Sequence, residues 1–290
     1  MLLSVWDTSA IVAKAITYAA TLGAAGSVWF LHYCNALPEG APRLRIRRIV
    51  LSLSALSLCG GAAQLLISAG SMSGTAAGML DGPLLHMAWQ AGAGRDNSIR
   101  AIGLLVAAAG TRSGRHVWPA SLGAAMAATS FAWTGHARLL TADAAPLLLG
   151  VHLLGAAFWL GALICLLVVA RGGDLTRLAN ATARFGAAAV YVVAVMMAAA
   201  LCLLSMLLGG VAQLWSSGYG RIAMLKAGFV GVLLCFAAFN KLRLTPRLLA
   251  GDAAAASRLQ VSVRMELMLV LLVLAATAAL TTIAGPPALD

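Results

Sequence analysis

The chain has 290 residues, of which 61% are hydrophobic and only 10% charged, with a mean hydropathy of +0.92. Soluble domains carry about 25% charged and about 45–50% apolar residues, so a soluble globular fold is excluded and the excess apolar surface must meet lipid. The net charge of +11 is read, in such a chain, from where the charges lie, and this argues against nucleic acid as a partner.

The first residues, Met1 to Asp7, show no basic region and no small-residue cleavage site, so a retained first helix is expected rather than a cleaved signal. Apolar runs at 9–35, 46–70, 97–111, 117–136, 146–170, 185–210, 219–243 and 262–284 predict eight transmembrane helices. Between the second and third runs lies a Gly-rich stretch, 71–94, interrupted by Asp81-Gly82-Pro83. It predicts an outside loop with a short interfacial helix over Leu84–Ala91. Fourteen of the 20 Lys and Arg residues fall after the first, third, fifth and seventh runs: Arg43, Arg45, Arg47 and Arg48; Arg112 and Arg115; Arg171, Arg177 and Arg184; and Lys241, Arg243, Arg247, Arg258 and Arg264. The positive-inside rule assigns these connections to the cytoplasm and, with eight passes, both termini to the outside.

A repeat reinforces this frame. Gly92-Ala93-Gly94-Arg95 with Arg100 matches Gly218-Tyr219-Gly220-Arg221 with Lys226, 126 residues later. A weaker echo relates Leu22-Gly23-Ala24-Ala25 to Leu154-Gly155-Ala156-Ala157. The expected fold is therefore all-α and polytopic. Two parallel four-helix halves, 1–145 and 146–290, form one membrane domain.

No Walker A, HExxH, GxSxG or DKTG sequence occurs, so an enzyme is not expected, and ATP-driven pumping by this chain alone is excluded. The chemistry that remains is metal ligation. His136 closes the fourth run and His152 opens the fifth; a short connection makes these helices antiparallel neighbours, with two imidazoles at similar depth able to share a metal. The first half has Ala20 where the second has His152, so the scaffold itself does not require that histidine. His86-Met87, with Met79 and Met72 upstream, combines imidazole and thioether, a set suited to Cu(I). Cys202 and Met206, at i, i+4, could continue a path of soft ligands, although Met and Cys at helical spacing also read as ordinary packing. Five cysteines, with no CxxC, do not form a disulfide framework. Arg95, Arg221, Lys226 and Glu266 read as structural charges. Glu266 needs a partner, for which Asn240 and Arg243 are nearest in depth, and Lys14 is expected to snorkel.

These motifs resemble the bacterial copper resistance protein D family. The resemblance is carried by Thr134-Gly135-His136-Ala137 and by His152 with Trp159-Leu160-Gly161-Ala162-Leu163. It continues in Tyr219-Gly220-Arg221-Ile222-Ala223-Met224-Leu225-Lys226, in Asn240-Lys241-Leu242-Arg243-Leu244-Thr245-Pro246-Arg247-Leu248 and in Ser262-Val263-Arg264-Met265-Glu266-Leu267. It implies an eight-helix protein of the bacterial inner membrane that moves copper from periplasm to cytoplasm, beside a separate periplasmic partner of the copper resistance protein C type. On that reading His136 and His152, with His86 and Met87, receive copper, Cu(I) being favoured, and Met79, Cys202 and Met206 are secondary ligands. Two alternatives stay open: a b-type cytochrome holding haem between His136 and His152, and a non-transporting sensor or assembly factor for a copper enzyme.

Overall fold

The computed structural model describes residues 4–33, 40–113, 117–133, 144–208 and 210–283, and is helical throughout with no strand among them. Lipid offers no hydrogen bonds to a peptide group, so an apolar chain of this kind closes its backbone within helices. The principal helices are α1 (Val5–Tyr33), α2 (Ala41–Ser73), α3 (Gly82–Ala88), α4 (Gly94–Ser113) and α5 (Val117–Thr129). They are followed by α6 (Ala144–Ala170), α7 (Leu175–Leu208), α8 (Gln213–Ser216), α9 (Gly218–Phe239), α10 (Thr245–Leu249) and α11 (Ala253–Ile283).

Every predicted run meets a helix, but six among the described residues are both long and apolar enough to cross a membrane. The remaining two fall short for different reasons. Any 18-residue window of α4 holds at least three of Arg95, Asp96, Arg100 and Arg112, whereas α5 is 13 residues long and continues only as the 3-10 turn Ser130–Ala132. α7 and α11 start well before their apolar runs. α7 begins at Leu175 rather than 185, and α11 at Ala253 rather than 262. The added turns carry Arg177, Arg184 and Arg258, so they are helical without being apolar, and hydropathy alone does not register them. The short helix expected over Leu84–Ala91 is α3, shifted toward the N-terminus because Asp81 caps it: its Oδ1 accepts the amide of Leu84 at 3.0 Å.

Among the described residues, helix ends next to basic segments meet in pairs. The Gln260 amide at the start of α11 donates to the Ala170 carbonyl at the end of α6 (3.4 Å), and Trp29 Nε1 near the end of α1 donates to the Ser121 carbonyl near the start of α5 (3.3 Å). At the other end Lys14 Nζ donates to the Thr281 carbonyl at 3.1 Å, tying α1 to α11. Lys14 is therefore anchored rather than snorkelling.

Helices in lipid gain little from burying apolar surface against one another, so small residues that admit close backbone approach set the contacts. α1 crosses α6 where Gly26 meets Ala157 and Gly161, so closely that a Cβ at either glycine would overlap the facing backbone. α4 crosses α5 at Gly103 and Gly123, where an added Cβ would come within 2.7 Å of the partner's carbonyl oxygen. α1 also packs on α2, α5 and α11, so it is the central element of the bundle. By contrast Gly228 and Gly231 on α9 face open space. Gly26→Val should therefore lower the unfolding free energy in detergent by more than about 3 kcal/mol, because neither backbone can retreat. Gly231→Ala should change it by less than about 1 kcal/mol. Thermal or denaturant unfolding followed by circular dichroism measures both, and equal effects would contradict the crossing described.

Candidate functional site

The repeated Gly-x-Gly-Arg motifs open α4 and α9. In each, the second glycine lets the preceding segment fold back on the helix start: Gly94 under the Trp89 indole, and Gly220 under the backbone of Gln213 and Leu214. Arg95 and Arg221 are exposed. The cation that follows points inward in both copies, toward a different neighbour.

In the first copy, Arg100 is buried with Asp96. Its guanidinium bonds the Asn97 side chain and sits 4.8 Å over the Phe131 ring, which meets Tyr18 edge-on at 4.7 Å. Asn97 Nδ2 donates to the Gly61 carbonyl at 3.2 Å, and a Cβ at Gly61 would lie 2.6 Å from Asn97 Oδ1, so only glycine fits. Nearby, Gln64 donates to Thr17 Oγ1 and Thr21 meets Ser57, each at 2.7 Å. This is a closed polar network joining α1, α2 and α4. Each side chain has a protein partner, which suits structural cohesion.

In the second copy, Lys226 lies close enough to His152 for their charges to interact. His152 sits eight residues into α6, partly buried, with Nδ1 3.3 Å from the Met196 carbonyl of α7. One turn on, a Cβ at Gly155 would stand 3.1 Å from Met196 Sδ, so the thioether rests on the same stretch of α6. If Nδ1–H donates to the carbonyl, Nε2 is left as a ligand, the usual arrangement in which a backbone oxygen orients a metal-binding imidazole. Sequence reading missed both Met196 and the His152–Lys226 approach. The adjacent pair Met196-Met197 in α7 was the available signal, but which helix it faces depends on rotation.

The other expected ligands are dispersed. His136 lies outside the described residues. His86 is exposed on α3, with Gln90 of its own helical segment at 3.3 Å from its ring, and Met87 beside it is exposed. Met79 packs with Trp6 against Gly70 of α2, an ordinary core contact. On α7, Cys202 is exposed and Met206 half-buried. Among the described residues no three His, Cys, Asp or Glu side chains converge to hold a metal, and Cys59, Cys202 and Cys235 are free thiols.

A separate polar feature lies toward the basic end. Glu266 of α11 is 1% exposed, and the Asn240 amide donates to its Oε1. The chain distorts there: Pro246 cannot donate a backbone hydrogen bond, Asn240–Leu244 widens into a π turn, and Thr245 Oγ1 bonds back to the Asn240 carbonyl at 2.9 Å. The Trp159 indole N–H of α6 faces the same carboxyl without reaching hydrogen-bond geometry. Glu266→Leu should destabilise the protein by about 1–3 kcal/mol, since it strands the buried Asn240 amide, whereas Glu266→Gln can still accept that bond and should cost less than half as much. Detergent unfolding of the two variants separates these outcomes, and equal losses would refute the pairing.

Residues 5–145 match the family model described as Copper resistance protein D-like, N-terminal domain, and residues 179–280 match the one described as Copper resistance protein D. No curated protein and no solved structure matches the chain. The two family models cover the N-terminal and C-terminal parts of a chain with six helices, among the described residues, long and apolar enough to cross a bilayer, and the chain belongs to the copper resistance protein D family of multi-pass membrane proteins.

Proposed function

We propose that this protein carries copper across the bacterial inner membrane, from periplasm to cytoplasm, as eight passes with both termini outside. Membership of the family implies association with copper. The observation that carries the site reading is the meeting of His152 with Met196: an imidazole oriented by a backbone carbonyl, with a thioether on the same patch of helix. Imidazole and thioether together favour Cu(I) over hard divalent ions. His136, 16 residues earlier in the chain, completes the receiving site in this reading. His86 and Met87, exposed on the short helix before α4, collect the ion first, from solution or from a periplasmic partner of the copper resistance protein C type. Cys202 and Met206 at the far end of α7 serve as secondary contacts.

Lys226 gives the site its character. When charged, Lys226 opposes a copper ion held at His152, which makes the site weak and exchanging, as a carrier requires: tight enough to load, loose enough to release. No nucleotide site is needed, because an inside-negative potential favours cation entry by about 2.3 kcal/mol per charge per 100 mV.

Equilibrium competition for Cu(I) in detergent tests the assignment. His152→Ala and Met196→Leu should each weaken binding by about tenfold or more, and Lys226→Gln should tighten it several-fold, about 1 kcal/mol being the scale of one partly screened charge. Unchanged affinity in both His152→Ala and Met196→Leu would remove the site. A Soret band in the purified protein would replace this reading with haem ligation.

A further inference from the structure

α7 and α9 barely touch, and the gap between them is a cavity of about 350 Å³ walled also by α6 and α11. Its walls are apolar, with Leu163, Phe185, Val190, Val193 and Leu234 among them. Val190 and Leu242 at its rim are 49% and 69% exposed, on surfaces that face lipid in a spanning bundle. Its floor is polar: Asn240 and Glu266, with Trp159 beside them. Asn240 is 7% exposed, and its Nδ2 is spent on Glu266, but its Oδ1 has no hydrogen-bond partner among the described residues, while the Trp159 indole N–H is turned to the Glu266 carboxyl. A buried acceptor without a protein partner costs free energy that a suitable occupant would recover.

The occupant follows from these groups. It must enter from lipid, so its body is apolar. Its head must donate to Asn240 Oδ1, which a hydroxyl does. The head is neutral, because Glu266 disfavours an anion and the one amine at the site, Lys241 Nζ, is engaged at 2.9 Å on the Gly186 carbonyl. The volume lies at the small end of the range for small-molecule sites, about 300–1,000 Å³, which suits one ring and not a two-chain phospholipid. We infer that this cavity binds the hydroxylated ring of a membrane quinol, with Asn240 Oδ1 accepting from the hydroxyl. This site stands apart from the His152–Met196 site and does not rest on the copper reading.

The test uses the full protein in nanodiscs of quinone-free phosphatidylcholine, titrated with a benzoquinol bearing a decyl tail; bound quinol is extracted and quantified against empty nanodiscs. The expected result is saturable retention of about one quinol per protein. Ala189→Trp, which fills the cavity from α7 while leaving the polar floor intact, and Asn240→Leu should each reduce affinity by about tenfold or more. Circular dichroism identifies any variant that fails to fold, and Ala189→Trp removes no hydrogen bond, so it decides if Asn240→Leu does not fold. Retention unchanged by Ala189→Trp would overturn the proposal. So would absence of saturable retention, or equal retention of palmitate, which would show an unselective apolar cleft.

Discussion

The contact of α1 with α6 is the constraint from which the rest of the bundle follows. Lipid is as apolar as leucine, so two helices in it are held by close packing and interhelical hydrogen bonds rather than by escape from water. Gly26 and Gly161 let the two backbones meet directly, and α1 then carries α2, α5 and α11 around it. The residues on either side of this crossing are small for the same reason, including Ala24, Ala25, Ala157 and Ala162, all buried. A bundle joined so tightly at its centre can afford looser contacts at its edge, and α9, with two glycines facing open space and a gap toward α7, is where they occur.

Charge is distributed by the same logic. Most Lys and Arg residues lie in the connections or in the helical turns that adjoin them, where hydration is available. The ionisable groups inside are few, and each has a defined setting: Arg100 within a network on α4, Lys14 on the Thr281 carbonyl, Glu266 under Asn240, and Lys226 beside His152. The first three are tied by hydrogen bonds and are explained by cohesion. The fourth sets a lysine within electrostatic range of an imidazole, an arrangement that adds nothing to cohesion.

Much of the fold was legible in the sequence because hydropathy and breakers act locally. The apolar runs located the helices, Asp81-Gly82-Pro83 located the short α3, and the Gly-x-Gly-Arg repeat located the starts of α4 and α9. The first turns of α7 and α11 were not legible, since they are helical by propensity and cap geometry yet carry arginines. Depth along a helix could also be counted, which is how Asn240 was singled out as one of two partners for Glu266. Rotation about a helix axis could not. Whether Met196 faces α6 or lipid, and whether Lys226 reaches His152, depends on which ridges interdigitate, and that is decided by small residues such as Gly155 on the facing helix. The candidate ligands chosen by residue type were therefore scattered, and the most suggestive pairing includes a methionine that no local pattern marked.

The central claim is that this bundle moves copper and needs no nucleotide to do so. The most direct measurement is copper accumulation inside proteoliposomes holding the purified protein, with Cu(I) supplied outside and an inside-negative potential imposed by a potassium gradient. The account predicts saturable uptake that rises with the potential and proceeds without ATP. Copper entry no faster than in protein-free liposomes, by a protein that still binds the ion, would contradict it.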